Sequence, residues 1–364
     1  MNAAAAIVPI VPAIKLQRIL YATDFSEGSR AALPFVSAIA RRYHSEVFVS
    51  HIWSPLPHDM VTSEAVSTME NQQESAAKQK LAEFLRLTGE QGISTKSIVK
   101  SGNPVEELER IVREQEIDLA VLSTYGRVGL KRLVMGSVAE ALFRNLSCPV
   151  LTVGPYLAGR FRETVEIHNI LFPTDLSVES QAVFPYLASL AHEYNARLTL
   201  LHVLPLETEN NSDAKAPAEP LRKEMMRIYC PQISPKCEAE FLIDTGDAAE
   251  KILALARERN VDLIGLGIRK AEKSTTHFRN TVTYRVLLNA MCPVLTDRFY
   301  SYTRSGSQWF PKWEGKRPSP YSALEILSEH HHPGSVWSAA EPTGESETGK
   351  GTVSGAAGWT AEIL

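Results

Sequence analysis

Between Ser123 and Ser137 the chain reads STYGRVGLKRLVMGS, a glycine-bearing stretch set between the apolar run Leu119 to Leu122 and a helical pattern from Val138 to Asn145. A strand that stops, a loop and a helix N-terminus bring free backbone N–H groups together at the positive end of a helix dipole. Such a place attracts an anion. Gly126 and Gly136 let the backbone approach phosphate oxygens with no Cβ in the way, and the Ser137 hydroxyl offers one more hydrogen bond. The residues read as a cradle for nucleotide phosphates. Glycines ten residues apart equally serve a loop that only has to turn, so this stretch alone does not choose between the two.

Holding such a loop in place takes a sheet. Arg18 to Ala22 reads as a first strand ending in Thr23-Asp24, and from Ser26 an apolar face at three-and-four spacing (Ala32, Phe35, Val36, Ile39) predicts a helix, kinked at Pro34. Glu46 to Ile52, Ile93 to Val99, Leu119 to Leu122 and Pro149 to Val153 supply further strands, with helical segments between. Strands alternating with helices at this spacing predict a parallel sheet covered on both faces. In the order 3-2-1-4-5 the strand order reverses between the first and fourth strands, where ligands bind. Asp24 and Ser123 then share one mouth.

The second half repeats the first. ILYATDFS at Ile19 returns as ILFPTDLS at Ile170, an offset of 151, whereas Gly102 matches Gly246, Asp118 matches Asp262 and Cys148 matches Cys292 at an offset of 144. The seven-residue difference falls in the loop and helix after the second strand. A repeat of this length is a duplicated domain.

Composition sets the bounds. The 364 residues carry 38 basic and 42 acidic side chains for a net charge of −4, with 44% hydrophobic and 22% charged residues. That is an ordinary globular balance with no bulk attraction to nucleic acid or anionic membrane. No apolar run is long enough to span a bilayer, and the N-terminal apolar stretch carries Pro9 and Pro12 without a basic leader, so a cytoplasmic location is expected. Four cysteines in so long a chain are no disulfide framework. His330, His331 and His332 lie in a Gly/Ser/Thr/Pro/Glu-rich tail expected to be disordered, with no fold to supply further metal ligands.

LYATDFSEGSRAAL, VSHI, SGNPVEEL and TYGRVGLKRLVMGSVAEALFRNLSCPVLTV together resemble the universal stress protein family. The family's nucleotide motif runs Gly-x-x-Gly-x9-Gly-Ser/Thr. Gly126, Gly136 and Ser137 keep its later part, and Ser123 stands at its first glycine. The resemblance implies an α/β fold of two tandem Rossmann-like domains, each a five-stranded parallel sheet in the order 3-2-1-4-5 with helices on both faces. It sets a flexible N-terminus over 1–14, a first domain over 15–153 with a largely intact ATP motif, a linker over 154–164, a degenerate second domain over 165–298 and a disordered tail over 299–364. It also implies ATP, with or without Mg2+, as ligand. Ala22 and Asp24 would lie beside the adenosine, Ile52 beside the adenine, Leu122 and Ser123 at the sugar, and Gly126, Arg127, Gly136, Ser137 and Val138 at the phosphates. The last strands are expected to pair within the chain, with a homodimer as the further possibility.

In the second repeat Gly267 keeps the first motif glycine, but Lys270 and Asn280 replace the others and Thr281 replaces the serine, so weak or no ATP binding is expected there. Each residue also has a plainer reading. Asp24 and Asp175 cap helices, His51 and His202 are satisfied histidines at strand ends, and Arg127 and Lys131 are solvated loop charges. Three functions compete: ATP-binding stress response or signalling, slow ATP hydrolysis or autophosphorylation at Ser137, and a nucleotide-free interaction scaffold. Gly126 to Ser137 holds no Asp, Glu or His to act as base and the chain has no Walker lysine motif, which disfavours turnover.

Overall fold

In a computed structural model that describes residues 14–55, 63–89, 92–124, 135–157, 165–206, 218–268 and 281–298, strand and helix alternate through two halves. The first half holds β1 (Arg18–Ala22), α1 (Glu27–Tyr43), β2 (Glu46–Trp53), α2 (Ser63–Gly89), β3 (Thr95–Ser101), α3 (Pro104–Glu114), β4 (Leu119–Ser123), α4 (Ser137–Asn145) and β5 (Val150–Val153). The second holds β6 (Asn169–Pro173), α5 (Val178–Ala182), α6 (Phe184–Tyr194), β7 (Arg197–Leu204), α7 (Ala218–Tyr229), β8 (Ala239–Thr245), α8 (Ala248–Glu258), β9 (Leu263–Ile268), α9 (Val282–Asn289) and β10 (Val294–Arg298). The segment expected to be a disordered tail, 299–364, lies outside the described residues, as do 1–13 and 158–164 of the expected flexible N-terminus and linker.

The helices begin where the sequence supplies caps. Ser26 accepts from the Ser29 amide at the start of α1, and His44, at φ 53, closes it. Gly102 at φ 143 turns β3 into α3, which Asn103 caps and Pro104 opens; Gly246 at φ 142 and Asp247 do the same for α8. At the far end of the sheet the Asp118 carboxylate accepts from the amides of Gln17 and Arg18, and Asp262 accepts from those of His168 and Asn169. Each copy thereby ties the start of its first strand to its fourth. α1, in which a kink is expected at Pro34, runs unbroken through that proline, while the second copy divides at Val183 into α5 and α6, just before Pro185.

The strand order is β3-β2-β1-β4-β5-β10-β9-β6-β7-β8. Each half keeps the order 3-2-1-4-5, but the two sheets are fused rather than separate. β5 and β10 pair antiparallel, with Leu151 opposite Leu295, to make a ten-stranded sheet. Either strand alone would expose a row of unpaired N–H and C=O groups; pairing satisfies both rows. Leu151 and Leu295 are the same position of the repeat, so a local two-fold axis passes between them.

Arg42 and Glu193 are likewise equivalent, and they meet across this axis: Arg42 Nε donates to Glu193 Oε2 at 3.1 Å, and the guanidinium also reaches the Glu193 carbonyl. In two identical subunits that position would face its own charge; duplication within one chain allows opposite charges there. The pair is half exposed and contributes about 0–1 kcal/mol. One apolar core runs under α1 and α6 through Phe35, Ile39, Leu151, Leu187, Leu190 and Leu295, each burial of this kind contributing about 1.5–3 kcal/mol. Core burial therefore holds the seam. Among the described residues no helix is long and apolar enough to cross a membrane.

Candidate functional site

β1 lies between β2 and β4, with Tyr21 beside Val49 and Val121, so the strand order reverses beside β1 in the first half. Past the end of β1 the Thr23 amide donates to Ser50 O at 2.9 Å, and the Thr23 hydroxyl meets Ser29 Oγ at 3.0 Å and accepts from the Phe25 amide at 3.0 Å. These bonds hold Phe25 at φ 63. The Asp24 carboxylate accepts from the Ser26 amide at 2.9 Å. It thus positions the capping serine and does not itself cap α1, a correction to the plainer reading of Asp24; Asp175 and Ser177 repeat the arrangement. His51 Nδ1 donates to Thr23 O at 2.8 Å, and since a carbonyl only accepts, this places the ring proton on Nδ1. The Phe25 ring lies 4.5 Å from the imidazole.

Ala22 and Ile52 are partly buried against the apolar cluster that includes Leu20, Phe48, Leu108, Leu122 and Leu142. These three expected site residues, Ala22, Ile52 and Leu122, thus share the sheet face covered by α3 and α4. Ser123 ends β4, half-buried beside Val153. The Thr124 amide donates to Val153 O at 3.1 Å, and Thr124 O accepts from the Gly136 amide at 3.2 Å, so the chain leaves and re-enters this mouth at one point. Gly126, Arg127 and Lys131 lie outside the described residues. Met135 is buried, whereas Gly136, Ser137 and Val138 are exposed.

Gly136 stands at the N-cap of α4 with φ −61 and ψ 142, an ordinary extended conformation, and no side chain caps the helix. The first-turn amides therefore point outward at the positive end of the dipole. Among the described residues a Cβ added to Gly136 would meet nothing nearer than Thr124 O at 3.8 Å, an ordinary contact, so neither backbone strain nor their packing requires glycine there.

The second half keeps the framework and changes the mouth. His202 Nδ1 donates to Thr174 O at 2.8 Å, and burial lowers the imidazole pKa. Where Tyr21 sends its hydroxyl to Ser29 O at 2.6 Å, the second copy has Phe172, and Tyr229 on α7 brings a hydroxyl to Thr174 Oγ1 at 2.6 Å instead. Burial raises the pKa of both phenols. A Cβ on Gly267 would collide with the α5 backbone, 2.6 Å from the Glu179 carbonyl carbon, and one on Gly265 would lie 2.6 Å from a Leu187 methyl. The first half has Val121 and Ser123 at these positions, so α1 must stand off β4 by a side chain's thickness. Thr281 caps α9, accepting from the Tyr284 amide at 3.2 Å. Lys270 and Asn280 lie outside the described residues.

The charges also reverse. Lys100 faces Glu107 at 3.5 Å in the first half; the equivalent pair in the second is Asp244 with Lys251 at 3.0 Å. Asn103 is replaced by Asp247, bound to Arg285 at 2.6 Å, which holds its carboxyl below the usual range. Val153 is replaced by Asp297, whose carboxyl burial pushes up to about 7. Each acid added at the end of the second sheet has a cation beside it, Arg285 for Asp247 and Arg298 for Asp297. The Thr23, Ser29 and His51 network was not singled out in the sequence, although Thr174, Ser180 and His202 repeat it at the same offset of 151.

The chain matches the universal stress protein family twice, over residues 15–154 and 166–298. Universal stress protein MJ0577 of Methanocaldococcus jannaschii is 28% identical over 155 residues, 38% of this chain and 96% of that protein. Universal stress protein YxiE of Bacillus subtilis is 25% identical over 156 residues, 37% of this chain and 97% of its own length. Among solved structures, a universal stress protein from Archaeoglobus fulgidus DSM 4304 shares the fold, with a TM-score of 0.62 at 19% identity, covering 78% of this chain and 99% of its own.

Proposed function

The chain belongs to the universal stress protein family, and from that premise we propose that its first half binds ATP in a cytoplasmic stress-response or signalling role. The second half serves as its structural partner across the two-fold axis. The observation that carries this reading is Gly136: among the described residues nothing fills the space of a side chain there and the backbone angles allow one, so beyond glycine's ordinary preference for an N-cap the position suits a ligand that approaches the helix end. Ala22, Ile52 and Leu122 offer an apolar surface for the base and sugar, with Asp24 and Ser123 at its edge. The amides of Ser137 and Val138 would hold phosphate oxygens, with Gly136 leaving the approach to them open, Gly126 and Arg127 contributing from the loop and Mg2+ accompanying the phosphates. Domain limits of 15–153 and 165–298 belong to the same reading.

In this role the protein senses a nucleotide, with at most slow hydrolysis or autophosphorylation. The residues from Gly126 to Ser137 include no acid or histidine to activate water. Titration calorimetry of the full chain with MgATP tests the proposal: one site per chain is expected, with Gly136→Val abolishing the heat while leaving the unfolding midpoint within a few degrees. Full affinity in Gly136→Val would refute the cradle. Absence of binding in the unaltered chain would favour a nucleotide-free scaffold.

A further inference from the structure

We propose that Arg298, supplied by the second half, is a positioning residue for the phosphate end of the first half's site, acting through α4; the inference rests on the nucleotide reading given above. Arg298 ends β10. Its Nη2 donates to Phe143 O at 2.7 Å, and its guanidinium lies 5.9 Å from the centre of the Phe143 ring. Phe143 belongs to the last turn of α4, where carbonyls lack intrahelical partners and the dipole is negative. A half-buried cation on that end complements the helix as an anion on the opposite end would.

α4 has nine residues, about two and a half turns. Fixing its carbonyl end also fixes the direction of the Ser137 and Val138 amides at the other. The pairing is not repeated on the other side of the axis. The position equivalent to Arg298 is Gly154, which lies against α9: a Cβ there would meet Leu287 O at 3.3 Å and Ala290 O at 3.5 Å. Leu287 is itself the equivalent of Phe143. The helix that follows the glycine–serine pair therefore receives a cation from the opposite half, and the helix of the degenerate copy receives bare backbone. A residue that merely stapled the halves together would have no reason to favour the helix at the intact motif.

The test compares full-length Arg298→Ala and Arg298→Lys with the unaltered chain, by amide hydrogen exchange without nucleotide and by calorimetry with MgATP. In Arg298→Ala the α4 amides should exchange about tenfold faster while those of α9 stay unchanged, and ATP should bind about tenfold more weakly. Lysine should restore both to within about threefold. Equal acceleration in α4 and α9, no change in either, or failure of lysine to rescue would overturn the proposal. Absence of ATP binding in the unaltered chain would instead fail the nucleotide reading, and the exchange data would still decide whether Arg298 holds α4.

Discussion

At the mouth of the first half Gly136 has space for a Cβ that nothing among the described residues occupies, while at the mouth of the second half Gly267 has none, because the α5 backbone lies against it. Both are glycines of one motif. Packing among the described residues explains the second and not the first. A motif glycine retained in a duplicated domain is therefore no sign of retained binding until packing has been set aside as its cause. The helix ends agree: α4 offers its first-turn amides outward, whereas α9 gives one to the hydroxyl of Thr281.

The strongest way to break this comparison is to put the same methyl group on both glycines. Gly267→Ala should destabilise the chain by about 3 kcal/mol or more, because the colliding atoms are backbone, whereas Gly136→Ala should cost no more than about 1 kcal/mol, the loss of glycine from an N-cap. Urea unfolding of the two variants decides it. Similar losses would erase the distinction between a packing glycine and a ligand glycine.

Asp297 gives the next largest effect. Its carboxyl is raised from the ordinary 3.8 to about 7 by burial, so the folded state binds the proton more tightly than the unfolded chain. Stability present below about pH 4 should then decline as the pH rises through 7. Asp297→Asn should remove that decline and stabilise the chain at pH 8 by about 2 kcal/mol, roughly half of the full shift because the side chain is not fully enclosed. A variant whose stability keeps the original pH slope would assign the titration to another group.

Across the two-fold axis Tyr43 meets Ser189 Oγ at 3.2 Å, but the mirror pair is Tyr194 and Ala38. The buried Tyr194 hydroxyl has no hydrogen-bond partner among the described residues, and Ala38 borders a small apolar cavity. Ala38→Ser should restore the symmetric bond and raise stability by about 1 kcal/mol in urea unfolding; a loss would show that the mirror geometry is not kept. The smallest effect concerns the reversed pair. Because Glu107 keeps its bond to Arg110 at 2.6 Å, Lys100→Ala should cost about 0.5 kcal/mol or less in urea unfolding, and a larger loss would show that Lys100 is the partner that matters.

Much of the fold was legible because it depends on local pattern. Strand and helix periodicity, Gly102 and Gly246 before capped helices, and the recurrence of Asp118 as Asp262 all act within a few residues or at one constant offset. β3 was read two residues early, as Ile93 to Val99, because Ile93 is buried ahead of the strand. At the candidate site, the glycine–serine pair before α4 announced itself by residue type. The turn that holds Phe25 did not, because threonine, serine and histidine are common and their bonding depends on where the chain folds back.

The sequence by itself determined the duplication, the order of elements and the damage to the second motif, since each is a matter of residue identity at fixed spacing. Tertiary structure alone decided why Gly267 is present, which hydroxyl satisfies each mouth and which charges meet. Tyr229 takes over the hydroxyl role of Tyr21 from a different helix, and Arg298 reaches Phe143 from 155 residues away. Close packing sets such contacts at tenths of an ångström, and that depends on how whole helices lie against the sheet rather than on any local stretch of chain.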